Sequence, residues 1–163
     1  MKTSAGVLMY RIKNGLPAQT GKPEVLLVHP GGPFWAKKDE GSWSIPKGEA
    51  DNNETVDELL DVAKREFEEE TGFKAEGNFK YLGEVKNKSG KIVKAWAVQG
   101  DLDPTQIKIN MIEIDWPPGS GKKMEIPEVD RGDFFELEEA KRKINPYQIP
   151  LIDEFEKTIA NTS

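Results

Sequence analysis

The chain of 163 residues contains no cysteine. That absence excludes disulfides, zinc–thiolate sites and a cysteine nucleophile. It contains one histidine, His29, so no multi-histidine metal centre can form. Long apolar runs are missing as well. The apolar start of the chain is broken by Arg11 and Lys13 and does not read as a secretory signal. No stretch approaches the roughly 20 apolar residues that cross a bilayer. The expectation is a soluble, cytoplasmic protein with no membrane partner. Positive charge is in deficit, with 23 Lys and Arg against 29 Asp and Glu and a formal net charge of -6. That balance argues against a general nucleic-acid binder. It leaves room for an anionic small substrate, because bound cations supply positive charge locally. There is no internal repeat, low-complexity tract or linker, and the length suits a single domain over 1–163. Nothing in the sequence indicates an oligomeric state.

What is present reads as alternating strands, loops and a few helices. Residues 4–12 and 24–29 are apolar, and the second run is bounded by Pro23 and Pro30; both are expected to be strands, joined by a turn-rich connection over 14–23. His29, at the end of the second, is expected to be structural. A long loop follows, HPGGPFWAKKDEGSW, with Trp35, Lys37, Lys38 and Trp43. Its aromatics and lysines suit either base stacking and phosphate contact or the anchoring of a surface loop. Residues 80–86 and 92–99 read as a hairpin pair, the second with two apolar faces and thus largely covered. Residues 107–116 alternate as a strand, with Glu113 breaking one face. A loop over 117–123, a final strand over 132–137 and helices over 138–144 and 146–160 complete the pattern.

The most informative stretch is residues 48–73, GEADNNETVDELLDVAKREFEEETGF. A helix is expected from near Thr55 to Thr71, with an apolar face built by Leu59, Leu60, Ala63 and Phe67 and a left-handed cap at Gly72. Glu66, Glu69 and Glu70 stand at i, i+3 and i+4, on one stripe. Three carboxylates there repel one another. Either they form a solvated acidic face, or they hold divalent cations such as Mg²⁺ or Mn²⁺, which prefer carboxylate and phosphate oxygens.

The glycine loop and the helix together resemble the signature of the Nudix hydrolase superfamily: Gly, five residues, Glu, seven residues, then Arg-Glu-apolar-x-Glu-Glu-x-Gly-apolar. Gly48 and Glu54 match the first half, and REFEEETGF over 65–73 matches the second at every specified position. Ten residues instead of seven separate Glu54 from Arg65. This reads as a three-residue insertion, which leaves either Glu54 or Asp57 in the first acidic position.

The resemblance implies an α/β/α sandwich with a mixed β-sheet. It also implies metal-dependent cleavage of a nucleoside diphosphate linked to another group. Glu66, Glu69, Glu70 and the Lys47 carbonyl would be the Mg²⁺ or Mn²⁺ ligands. Arg65 would brace the loop, and Glu69 and Glu66 would carry the chemistry. The general base would come from Glu128, with Glu125 and Glu113 as alternatives. The approach WSIPKG is similar to that of diadenosine polyphosphate hydrolases, and the loop with IDWPPGSG to predicted NTP pyrophosphohydrolases. Trp35, Lys37, Lys38, Trp43, Lys47 and Tyr81 are the expected substrate contacts, and a nucleotide-type small molecule the expected partner. ADP-ribose, nucleotide-sugar or damaged-dNTP hydrolysis, or nucleotide binding without catalysis, are the alternatives.

Overall fold

A computed structural model describes residues 2–13, 22–51 and 54–160. Most of the connection expected over 14–23, and residues 52 and 53 in the inserted loop, lie outside the described residues. The strands are β1 (Thr3–Lys13), β2 (Lys22–Pro30), β3 (Lys47–Ala50), β4 (Lys80–Lys86), β5 (Ile92–Gln99), β6 (Met111–Asp115), β7 (Lys123–Pro127) and β8 (Val129–Glu136). The helices are α1 (Val56–Thr71), α2 (Leu137–Lys143) and α3 (Ile149–Ala160).

Six strands form a mixed sheet in the order β4-β5-β1-β2-β8, with β3 added against β1. The β1–β5 pairing is parallel and the others are antiparallel. Because side chains alternate across a strand, the sheet offers two apolar faces. Val7, Met9, Leu26, Trp96 and Val98 pack against Leu59, Val62, Ala63 and Phe67 of α1. Leu8, Val25, Leu27 and Ala97 pack against Ala140, Leu151, Ile152 and Phe155 on the other side. The result is the expected α/β/α sandwich.

The ends of α1 follow from local chemistry. Thr55 caps the start: its hydroxyl accepts from the Glu58 N–H at 3.3 Å and donates to the Glu58 carboxylate at 3.0 Å. Gly72 ends the helix at φ 80°, a conformation that costs glycine little, and its N–H donates to the Glu68 carbonyl at 2.8 Å. Phe67 is fully buried under the helix. Phe67→Ala is expected to cost about 3–5 kcal/mol of stability, read as a shifted urea midpoint at unchanged slope. A loss below about 1 kcal/mol would mean the helix is not anchored there.

One edge of β1 has two partners in succession. Residues Thr3–Gly6 pair with β3, and Tyr10–Lys13 pair with β2. Where β1 and β2 part, residues 44–46 wedge between them. Val7 donates to the Pro46 carbonyl at 3.1 Å, and Ser44 and Val28 exchange backbone bonds of 2.8 and 3.0 Å. This wedge delivers Lys47 and Gly48 to the side of α1.

Two expectations need correction. The strand expected over 107–116 is only Met111–Asp115, and it lies outside the main sheet, paired with β7 in a separate hairpin. Its first residues are taken instead by α1: the Lys108 N–H donates to the Thr71 carbonyl at 2.9 Å, and the Asn110 amide donates to the Glu69 carbonyl. The final strand begins at Val129, earlier than expected, because Pro30 and His29 of β2 pair with Val129 and Arg131.

Candidate active site

The wedge and the acidic helix meet at Lys47 and Gly48. The Lys47 backbone N–H donates to Glu70 Oε2 at 2.6 Å. Gly48 lies directly against Glu66; a Cβ at position 48 would overlap the Glu66 carboxylate. Glycine is therefore needed here for space. Arg65 reaches Glu66 at 3.5 Å and Glu69 at 3.9 Å. Arg65 and Glu69 are well exposed, so these pairs orient side chains more than they stabilise the fold.

Glu128 arrives from the other side. Its backbone N–H donates to the Asn110 carbonyl at 2.8 Å, and its carbonyl accepts from the Gly31 N–H at 3.2 Å. Since Asn110 is itself tied to Glu69, Glu128 is referenced to the end of α1. Glu128, Glu70, Lys47, Trp35, Ser44 and Gln148 are among the residues lining a cavity of about 260 Å³. A larger cavity of about 670 Å³ lies near Tyr10, Ile12 and Phe155, but no carboxylate lines it. Glu70 and Glu128 face the smaller one.

The carboxylates act on one another through their charges. Burial, then the negative charge of Glu128, pushes the Glu70 carboxyl up to about 8; the Lys47 N–H bond and the Lys47 charge oppose this, and Glu66 adds to it. Burial, then Glu69, raises Glu66 above the usual carboxylate range, with Arg65 opposing and Glu128 adding. Crowded, partly desolvated carboxylates whose raised pKa persists beside Arg65 and Lys47 suit a hard divalent cation. Among the described residues, no group of three or more acidic or histidine side chains is converged for ligation as it stands. The donor set fits such a cation in chemistry, with Glu66 and Glu69 turned toward Arg65. Glu54 contributes a buried carboxylate oxygen that has no hydrogen-bond partner, whereas Asp57 is exposed in the first turn of α1.

The remaining candidates separate by position. Trp35 lines the cavity. Trp43 does not face a ligand: it is 4% exposed, packs edge-on to His29 and Phe135, and donates its indole N–H to Asp39 at 2.8 Å. Tyr81 sits on β4, beyond β5 from the cleft, against Trp96. Lys37 is exposed, and the Lys38 ammonium lies 3.8 Å over the Phe34 ring. Glu113 and Glu125 face each other across the β6–β7 hairpin and are exposed. His29 is fully buried, its ring nitrogens bonded to Asp130 at 2.9 Å and the Lys38 carbonyl at 2.6 Å, so it fastens the long loop to β8. Sequence reading missed Gln148. Its side-chain carbonyl accepts from the Ile45 N–H at 3.2 Å and its amide donates to the Ser44 hydroxyl at 3.0 Å, holding the wedge. No motif marked it.

Comparison with known families settles what the glycine loop and carboxylate helix belong to. The model of the NUDIX domain matches residues 3–155. The chain is a member of the NUDIX domain family. Solved structures agree on the NUDIX fold. An Ap4A hydrolase binary complex from C. elegans is 23% identical, with 97% of this chain and 98% of that one covered and a TM-score of 0.62. A mutT/nudix family protein from Listeria innocua is 17% identical over 98% and 94%, at a TM-score of 0.62. The NUDIX domain of Shewanella oneidensis NrtR, complexed with ADP ribose, is 14% identical over 96% and 87%, at 0.59. No curated protein matches the chain. NUDIX membership supports a pyrophosphohydrolase.

Proposed function

We propose that this NUDIX chain hydrolyses a phosphoanhydride bond in a nucleoside diphosphate linked to another group, with a dinucleoside polyphosphate or NTP as the leading substrate class. The observation that carries the reading is the Lys47–Gly48 loop set against the α1 carboxylates, with the Lys47 N–H on Glu70 at 2.6 Å and Gly48 directly against Glu66. Glu66, Glu69, Glu70 and the Lys47 carbonyl would hold Mg²⁺ or Mn²⁺. The ion supplies neutralisation of phosphate charge and a lower pKa for the attacking water.

The chain's own groups do the rest. Glu128, on the cleft wall opposite α1, takes the proton of the attacking water. The water oxygen bonds to phosphorus as the bridging P–O bond breaks, and the leaving phosphate carries away the bonding pair. Gly48 leaves the room that Glu66 occupies, and the Lys47 N–H fixes Glu70. The Lys47 ammonium is the cavity's nearby positive group for the phosphates. Arg65 sets the orientation of Glu66 and Glu69. Glu54 is favoured over Asp57 for the first acidic position, since it has a buried carboxylate oxygen without a hydrogen-bond partner while Asp57 is exposed.

The substrate is identified by product analysis over ATP, a damaged dNTP, diadenosine tetraphosphate, ADP-ribose and a nucleotide sugar. Two nucleotides from the dinucleotide, at the highest kcat/KM of the panel, are the expected result. Exclusive cleavage of ADP-ribose or of the nucleotide sugar would replace the leading substrate class with that alternative.

A further inference from the structure

The β6–β7 hairpin was not needed to build the carboxylate site, yet it stands beside it. Its antiparallel register places Ile112 opposite Ile126 and Ile114 opposite Met124. With side chains alternating across each strand, Ile112, Ile114 and Ile126 share one face. Trp116 follows in the same phase. That face looks across a cavity of about 480 Å³ at Phe34 and Trp35 of the long loop. The volume falls within the range of about 300–1,000 Å³ typical of small-molecule sites.

The cavity is built rather than incidental. The turn at Gly31 is pressed against the hairpin so closely that a Cβ at Gly31 would overlap the Pro127 carbonyl, and one at Gly32 would sit 2.6 Å from Ile126 Cδ1. Phe34 and Trp35 are held edge to face, with ring centroids 4.8 Å apart. Phe34 is 54% exposed and Ile112 39%, both large apolar side chains. Pro30, Trp35 and Glu128 line this cavity and the carboxylate cavity alike, so the two are halves of one cleft.

We propose that the β6–β7 hairpin and the Phe34–Trp35 turn form the subsite that takes the nucleobase of the substrate, and that Trp116 and Phe34 set the preference for nucleotides over base-free polyphosphates. The assignment rests on the hydrolase reading for the location of the phosphates. The aromatic and aliphatic walls match the flat faces of a base, and every base offers a π-face for stacking. Asp115 is paired with Lys123 at 3.1 Å and the Lys38 ammonium lies 3.8 Å over the Phe34 ring, so the charge on this wall does not orient the substrate. The Lys47 ammonium and the cation that the α1 carboxylates would hold draw the phosphates to the other half of the cleft.

The test compares wild type with Phe34→Ala, Trp116→Ala and Trp116→Phe on diadenosine tetraphosphate, ATP, ADP-ribose and inorganic tripolyphosphate. Phe34 is exposed enough to be truncated without harm to the fold, and thermal melting checks the Trp116 variants. For the best nucleotide, each alanine variant is expected to raise KM about tenfold or more. Its preference over tripolyphosphate should fall by a similar factor, and Trp116→Phe should restore most of it. An unchanged nucleotide KM in both alanine variants overturns the assignment, as does an equal loss for tripolyphosphate. If wild type cleaves no member of the panel, the hydrolase reading fails, and adenosine binding by equilibrium dialysis decides the subsite alone. Saturable binding weakened about tenfold by both alanine variants supports it; no saturable binding overturns it.

Discussion

Glu70→Gln is expected to abolish turnover while stabilising the metal-free protein at alkaline pH. Glu70 is half-buried, and desolvation, then the negative charge of Glu128, raises its carboxyl from 4.5 to about 8, with Glu66 adding to the shift. The folded chain therefore keeps a proton that the unfolded chain sheds above about 4.5. The stability linked to that proton is fully present below about pH 4.5, falls as the pH rises, and is gone above about 8. The amount is on the order of a few kcal/mol. Glutamine carries no charge to bury, and its side-chain oxygen can still accept from the Lys47 N–H. In the metal-free state the variant should thus melt higher than wild type at pH 8 and at nearly the same temperature at pH 4.5. Divalent cation should raise the wild-type melting temperature and narrow the gap. Turnover should fall by more than about a hundredfold, because a direct ligand carries more than the outer-shell groups whose loss costs 10–100-fold. A variant that melts no higher than wild type at pH 8 would contradict the placement of Glu70.

Gly48→Ala is expected to lose activity with little loss of stability. The added methyl would overlap the Glu66 carboxylate. That carboxylate ends a side chain that can swing, so the fold gives way at the site and nowhere else. Displacement of about 1 Å in a reacting arrangement costs on the order of a hundredfold in rate. Melting temperature should stay within about 3 °C of wild type, a change of less than about 1 kcal/mol. Activity near wild type would mean that Glu66 need not occupy the space beside Gly48.

Much of this was legible in the sequence because it is local. Thr55 and Gly72 mark the ends of α1, Leu59, Ala63 and Phe67 mark its buried side, and Glu66, Glu69 and Glu70 mark its acidic stripe. Strands β1, β2, β4 and β5 declare themselves through apolar alternation or apolar runs. What was not legible depends on partners distant in the chain. β3, Lys-Gly-Glu-Ala, has no strand-forming residue and is a strand only because β1 offers Thr3–Gly6 as an edge. Residues 107–110 alternate like a strand but are held by the carbonyls at the end of α1. Trp43 looks like a stacking residue in a glycine-rich loop, yet a bond to Asp39 and contacts with His29 and Phe135 turn it inward. Tyr81 lies away from the cleft because strand order, which no local pattern encodes, places β5 between them. The position of Glu128 follows from bonds to Asn110 and Gly31, each remote in sequence from it.

The central claim is that the α1 carboxylates hold a cation that permits phosphoanhydride hydrolysis. The most direct measurement is turnover of the nucleotide panel by wild type and Glu69→Gln, with Mg²⁺, with Mn²⁺ and with chelator. Release of nucleotide products by wild type only when a divalent cation is present, and a loss of more than about a hundredfold in Glu69→Gln, is the predicted result. Tight nucleotide binding by wild type with no turnover of any panel member under any metal would contradict it.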